Sequence, residues 1–242
     1  MTKTISRKGD IRPLLSSVLT SYREEGVDAC IHSFHELILL HKVKFPLLEF
    51  CALELFSDIP PKEHIYFCDR IEASKQIGGN VILGIFLQQR LSTDFDSAIR
   101  DTTRYISKGK EWYVSDIIGE RVFGHALLNH FNQIQSLFPE LYEHRNNMVV
   151  RAMGAGTHYA IKKGLSTDHC TLCFEQLLKQ SEARDHEIRR GIGWAAKTTA
   201  KFHPSIVLNH PLFEAGNSLP GWLVNKINIG LNRHAYAQRD SS

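Results

Sequence analysis

The sequence predicts an all-α fold, a solenoid built from antiparallel helix pairs, and three observations predict it. Apolar residues recur at helical spacing along most of the 242 residues, strand-like alternation is scarce, and short polar turns separate the periodic stretches. A single helix pair cannot bury its own apolar face, so successive pairs stack on one another. No strict repeat is evident, and a plain helical bundle is the simpler alternative.

The elements follow in order. Asp10 can cap a helix from Ile11 to about Glu25, which Gly26 ends. Val27 to about Lys42 follows, with Cys30, Phe34, Leu37 and Ile38 on its apolar face. Pro46 starts a helix through Phe56, and Pro60-Pro61 opens another through about Ala73. Gly78-Gly79 reads as a break. Two helices then run over 81–91 and 95–106, divided by a Ser92-Thr93-Asp94 cap. Lys108-Gly109-Lys110 is a turn, and one long helix is expected from Trp112 to about Phe131. Pro139 begins a short helix. Asn146 or Asn147 caps the next, through Lys162 to Gly164. Ser166-Thr167-Asp168 caps 170–180, and Asp185 caps a helix to about Phe202 that His203-Pro204 stops. Beyond it, Pro211, Gly216, Pro220 and Gly221 interrupt the pattern.

Composition excludes several classes. The N-terminus is polar and basic with no apolar stretch of a secretory signal, and no apolar run reaches the roughly 18 residues that span a bilayer. With five cysteines the expectation is a cytoplasmic protein with reduced thiols, nucleoid-associated if bacterial. Net charge is only +3, which neither demands nor forbids a nucleic-acid partner. Cys170 and Cys173 have a CxxC spacing, but no second ligand pair accompanies them, so they read as buried helix residues and no metal site is expected. No P-loop, no GxGxxG after a strand and no HExxH is present, so no cofactor is expected.

Three helices carry unusual residues. Trp112 and Asp116 are four apart and share a face, while Val114, Ile117, Ile118 and Val122 can supply the core contact. Asp116 is therefore not forced into the core, and an aromatic ring beside a carboxylate suits a cationic ligand. A core-edge Trp with a solvated Asp is the plain alternative. In the second helix Val149, Ala152, Met153 and Gly156 make an apolar stripe, with Arg151 off it. Gly154 and Gly156 permit close approach, either of another helix or of a phosphate backbone. In the third, Ile188, Ile192, Ala195, Thr199 and Phe202 form the apolar face, while Arg190, Trp194, Lys197 and Lys201 form a separate stripe suited to phosphates and a sugar or base. A boundary Trp among solvated cations is the alternative there.

Together these segments resemble the DNA alkylation repair glycosylases, the AlkD-like family of HEAT-like enzymes. Trp112-Tyr113-Val114-Ser115-Asp116 resembles the family's Trp-x-x-x-Asp element, and Val150-Arg151-Ala152 its helix with a phosphate-facing Arg. Ile188-Arg189-Arg190-Gly191-Ile192-Gly193-Trp194-Ala195, followed by Ala200-Lys201-Phe202-His203-Pro204, resembles its Ile-Arg-Lys-Ala-Ile-Gly-Trp-Ala element and sequel. The match is best over residues 79–207.

The resemblance implies a single HEAT-like domain over 1–242, a right-handed α-α superhelix whose basic concave face cradles duplex DNA. It implies a monomeric, monofunctional glycosylase that hydrolyses the N-glycosidic bond of cationic N3- and N7-alkylated purines in base excision repair. Asp116 would stabilise the developing sugar cation, Trp112 and Trp194 would pack on the deoxyribose and lesion, and Arg151 would hold a phosphate. Arg190, Lys197, Lys201, Lys108 and Lys110 are the further candidates for phosphate contact. Two other readings keep the fold without the chemistry: a non-catalytic solenoid that binds DNA, and a scaffold for a protein partner.

Overall fold

A computed structural model describes residues 4–213 and 219–239, and of 235–239 only the backbone. Among these residues the protein is all-α; sheet is confined to the two-residue strands β1 (Thr4–Ile5) and β2 (Lys42–Val43), which pair in parallel. The chain divides into two compact units, Met1–Tyr105 and Ile106–Ser242.

In the first unit α1 spans Lys8–Glu25, with Asp10 in its first turn and Gly26 at φ 87° ending it. The helix expected over 27–42 is shorter. α2 (Val27–Phe34) runs into a π-helical turn, His35–Leu39, and the chain then becomes β2. α3 (Phe45–Asp58), a 3-10 turn (Pro61–Glu63) and α4 (His64–Ala73) follow the proline signals. Gly78-Gly79 is not a break but the first turn of α5 (Ile77–Arg90). A Cβ on Gly79 would lie 3.1 Å from the Ile71 side chain and one on Gly78 3.0 Å from Leu48, so both serve close helix packing. Asp94 Oδ1 accepts from the Ser97 amide at the start of α6 (Phe95–Lys108).

In the second unit the single long helix expected over 112–131 is three: α7 (Trp112–Arg121), α8 (Phe123–Asn129) and α9 (Phe131–Ser136). Val122 breaks the first pair, and at His130 the backbone leaves the helical region, φ −135° and ψ 38°. α10 (Phe138–Tyr142) is short. α11 (Asn147–Lys162), α12 (Thr167–Lys179) and α13 (His186–Phe202) start where their Asn146, Ser166 and Asp185 side chains accept backbone N–H groups. α14 (Pro204–Leu208) and a 3-10 turn (Pro211–Phe213) lead towards α15 (Gly221–Arg239), a helix the interrupted C-terminal pattern did not predict. Gly216 lies outside the described residues.

Four helices of this unit form a row: α7 packs on α11, α11 on α13 and α13 on α15. Glycine sets the spacing. A Cβ on Gly154 would fall 2.3 Å from the Gly191 carbonyl carbon, and one on Gly230 2.2 Å from the Lys197 oxygen. Of the two uses open to Gly154 and Gly156, close helix packing is the one realised, the latter against Gly124 and Phe123.

Candidate nucleic-acid interface and carboxylate site

The centre of the row holds an arginine between two carboxylates. Arg151, from α11, is 5% exposed. Its Nε donates to Asp116 Oδ1 at 2.8 Å and its Nη2 to Asp116 Oδ2 at 2.7 Å, a bidentate pair between α11 and α7. The remaining nitrogen, Nη1, donates to Glu187 Oε2 on the first turn of α13. Burial alone would lower the guanidinium pKa, but the hydrogen bonds and charge of Asp116, then of Glu187, outweigh it and raise it. Glu187 is opposed in the same way: burial would raise its pKa, and hydrogen bonds from His186 and Arg151 take it below the ordinary carboxylate value.

Asp116 is 9% exposed, against the expectation that it need not enter the core. The physical reason is that α7 is covered on nearly every side, from Ser115 through Gly119, so the carboxylate is buried with its neighbours and needs its partner. Trp112, one turn earlier, is 55% exposed, and the Arg151 Cζ lies 5.6 Å from its ring centroid. Arg151 thus faces the carboxylates rather than standing on an outer face, as its place off the apolar stripe had suggested.

Trp194 is half-buried and stacks on His158 of α11, centroids 4.1 Å apart at 26°. Thr198 has one hydroxyl hydrogen and gives it to the Trp194 carbonyl, so it accepts from His158 Nδ1 at 2.6 Å, which fixes the ring's tautomer. Burial, with Lys162 and Lys197 nearby, pushes the His158 pKa down to about 4, so the imidazole under Trp194 is neutral at pH 7.

A groove of about 590 Å³ opens beside the triad. Arg151, His186, Arg189, Arg190, Trp194, Lys197, Trp222 and Lys226 line it. A smaller recess of about 160 Å³ shares Trp194 and Lys197 and adds Lys162, Lys201 and Arg233. Among the described residues no carboxylate lines either. Burial, then the nearby charges of Arg233 and Lys226, lowers the Lys197 ammonium pKa.

The structure therefore brings together five of the expected residues, Arg151, Arg190, Trp194, Lys197 and Lys201, along one basic surface, with Asp116 and Trp112 at its edge through Arg151. Lys108 at the end of α6 and Lys110 in the turn before Trp112 are exposed and line neither recess. Sequence reasoning missed Glu187, Arg189, Trp222 and Lys226. The i, i+4 spacing of Trp222 and Lys226 just after Pro220-Gly221 was the available signal for the last two. The Arg189 guanidinium lies 5.5 Å from the Trp222 ring, and Trp222 Nε1 donates to the Ser181 carbonyl.

Cys170 and Cys173 are buried free thiols on α12, and burial raises the first to about 12 and the second further. Among the described residues no group of three or more His, Cys, Asp or Glu could hold a metal ion, and no helix is long and apolar enough to cross a membrane.

The family model for the DNA alkylation repair enzyme matches residues 31–210, well over half of the chain. The chain belongs to that family. No curated protein and no solved structure gives a significant match. The matched span of this DNA alkylation repair family member runs through both compact units and contains Trp112, Asp116, Arg151, Glu187 and Trp194, whereas Trp222, Lys226 and Arg233 of α15 lie beyond its end.

Proposed function

We propose that the protein is a monofunctional DNA glycosylase that releases cationic N3- and N7-alkylated purines from duplex DNA. The observation that carries this reading is the Asp116 carboxylate, held bidentately by Arg151 between the exposed Trp112 and the basic groove of Trp194, in a DNA alkylation repair chain.

The chemistry asks little of the protein. A cationic alkylpurine takes the bonding pair as the C1′–N bond breaks and leaves neutral, and the deoxyribose becomes an oxocarbenium ion. A carboxylate fixed beside that sugar stabilises the cation, and the water that adds to C1′ loses its proton. Each Asp116 oxygen accepts one Arg151 hydrogen bond and keeps a second lone pair for this task. The faces of Trp112 and Trp194 attract positive charge. Arg190, Lys197 and Lys201 on the groove, and Lys108 and Lys110 before α7, would bind backbone phosphates. The reaction needs no metal or nucleotide cofactor. The reading includes a HEAT-like superhelix acting as one domain over 1–242; the row α7–α11–α13–α15 and a family match running through both units support it.

The occupation of both Asp116 oxygens by Arg151 favours a second reading, a DNA-binding protein without chemistry. Single-turnover release of N7-methylguanine and N3-methyladenine from methylated duplex DNA separates the two. Release is expected from the unaltered protein and is expected to vanish in Asp116→Asn, with DNA binding retained. Binding without release by the unaltered protein selects the second reading. Asp116→Asn releasing base at the unaltered rate removes Asp116 from the chemistry.

A further inference from the structure

We propose that Glu187 is a positioning residue that keeps Arg151 clamped on Asp116 and withholds it from the DNA backbone. The inference rests on the glycosylase reading for its rate arm, and on DNA binding for its affinity arm. It adds a residue that no family motif quoted above contains.

Three facts carry it. Arg151 uses Nε and one hydrogen of Nη2 on Asp116, which leaves Nη1 as the nitrogen that Asp116 does not engage. Glu187 takes that nitrogen. The Glu187 side chain is 32% exposed against 6% for Arg151, and Arg151 itself lines the groove, so the carboxylate competes for the guanidinium with a phosphate that enters there. With both carboxylates in place the triad carries one net negative charge. Asp116 keeps a fixed orientation and is not left as half of a neutral pair facing a developing cation.

Glu187 is also placed by the backbone. Gly191, one turn further along α13, packs on the main chain of Arg151: a Cβ there would lie 2.6 Å from the Arg151 Cα and 2.5 Å from its oxygen. Asp185 Oδ1 accepts the Glu187 amide at 2.9 Å, so the first turn of α13 is tied down where the carboxylate leaves it. His186 Nδ1 stands 3.2 Å from Glu187 Oε1. The side chains that bear on the carboxylate are thus Arg151 from α11 and His186 from its own helix.

The test is Glu187→Gln, which keeps the shape and removes the charge. Three quantities are measured: affinity for undamaged duplex as a function of salt, single-turnover excision at saturating protein, and the 15N signal of the Arg151 Nε–H. If Glu187 withholds Arg151, the variant binds more tightly and its salt slope steepens by about one ion. If Glu187 clamps Arg151, saturated excision falls by about tenfold to a hundredfold, and the Nε–H signal loses its protection from exchange. Affinity and rate then move in opposite directions, which a merely structural role cannot produce. The same substitution in an Asp116→Asn, Arg151→Gln background separates action through Arg151 from simple loss of charge near the groove. There the salt slope is expected to stay put.

Affinity and rate falling together overturns the inference, as does an equal change of slope in the neutral background or an unchanged Arg151 signal. If the unaltered protein binds DNA without excising base, the glycosylase reading fails, and the slope and 15N signal still decide the inference. If it does neither, the 15N signal alone decides the clamp.

Discussion

A buried arginine between two acids is weak support for stability but a strong constraint on what can replace it. Arg151→Met leaves Asp116, at 9% exposure, as an uncompensated buried carboxylate, while Glu187 turns to solvent. The expected loss is about 3 kcal/mol or more, checked by the shift of the urea midpoint at pH 7. His158 makes a second prediction at this scale. Its pKa in the folded protein is about 4, against 6.5 for the free group, so the unfolded chain takes up a proton that the folded protein refuses. The stability its neutral ring contributes is complete above pH 6.5 and is lost as pH falls towards 4. The full amount is on the order of 3 kcal/mol. His64, His125 and His203 are lowered too, by burial, and act with the same sign. Thermal unfolding followed from pH 7 to 4.5 should show the melting temperature falling throughout, and falling less in His158→Gln.

At the level of helices, periodicity and most caps were legible, and contact surfaces were not. Asp10, expected as a cap, lies inside the first turn of α1 with Arg7 before it. Asn146, Ser166 and Asp185 each do what a capping side chain should, and the stops at Gly26, Gly164 and His203 fall where expected. Gly78-Gly79 was misread because a helical glycine chosen for close packing and a glycine chosen to break a helix look alike in one dimension. The bends at Val122 and His130 carry no Pro and no distinctive turn residue. There α7 and α8 follow α11 closely: a Cβ on Gly119 would meet the Ala152 oxygen at 2.5 Å, and one on Gly124 the Gly156 oxygen at 3.1 Å. Gly154→Ala is therefore expected to destabilise by about 1–3 kcal/mol through overpacking against Gly191, although alanine is the better helix former. Chemical denaturation measures this directly; an increase in stability would mean that the two helices are less tightly opposed than described.

For the molecule as a whole, helical class and family membership were readable from the sequence. So were five of the residues that the second unit gathers on one surface, Arg151, Arg190, Trp194, Lys197 and Lys201. The pairing was not. A separation of 35 residues between Asp116 and Arg151, and 36 between Arg151 and Glu187, carries no local signature, and only packing brings these groups together. The C-terminal helix was missed because its punctuation outweighed its periodicity, yet it supplies Trp222, Lys226 and Arg233 to the basic surface. A net charge of +3 understates that surface, since binding responds to the arrangement of charge more than to its sum. Duplex DNA binding is accordingly expected to weaken steeply with salt. Lys226→Ala and Arg233→Ala should each flatten the dependence of log K on log salt by about one ion. Slopes equal to that of the unaltered protein would put α15 outside the DNA footprint.

The contact of Gly191 with the main chain of Arg151 has a consequence for how this protein can vary. The reach of the guanidinium towards Glu187 is set by how near two backbones lie, and that distance is held by a hydrogen atom where other residues carry a methyl group. Any side chain added there would meet the Arg151 main chain and force the two helices apart, and α13 carries Glu187 and Trp194. The tuning screw of the site is thus a position with no functional group, and a search for altered activity that scans only charged and aromatic residues would pass over it.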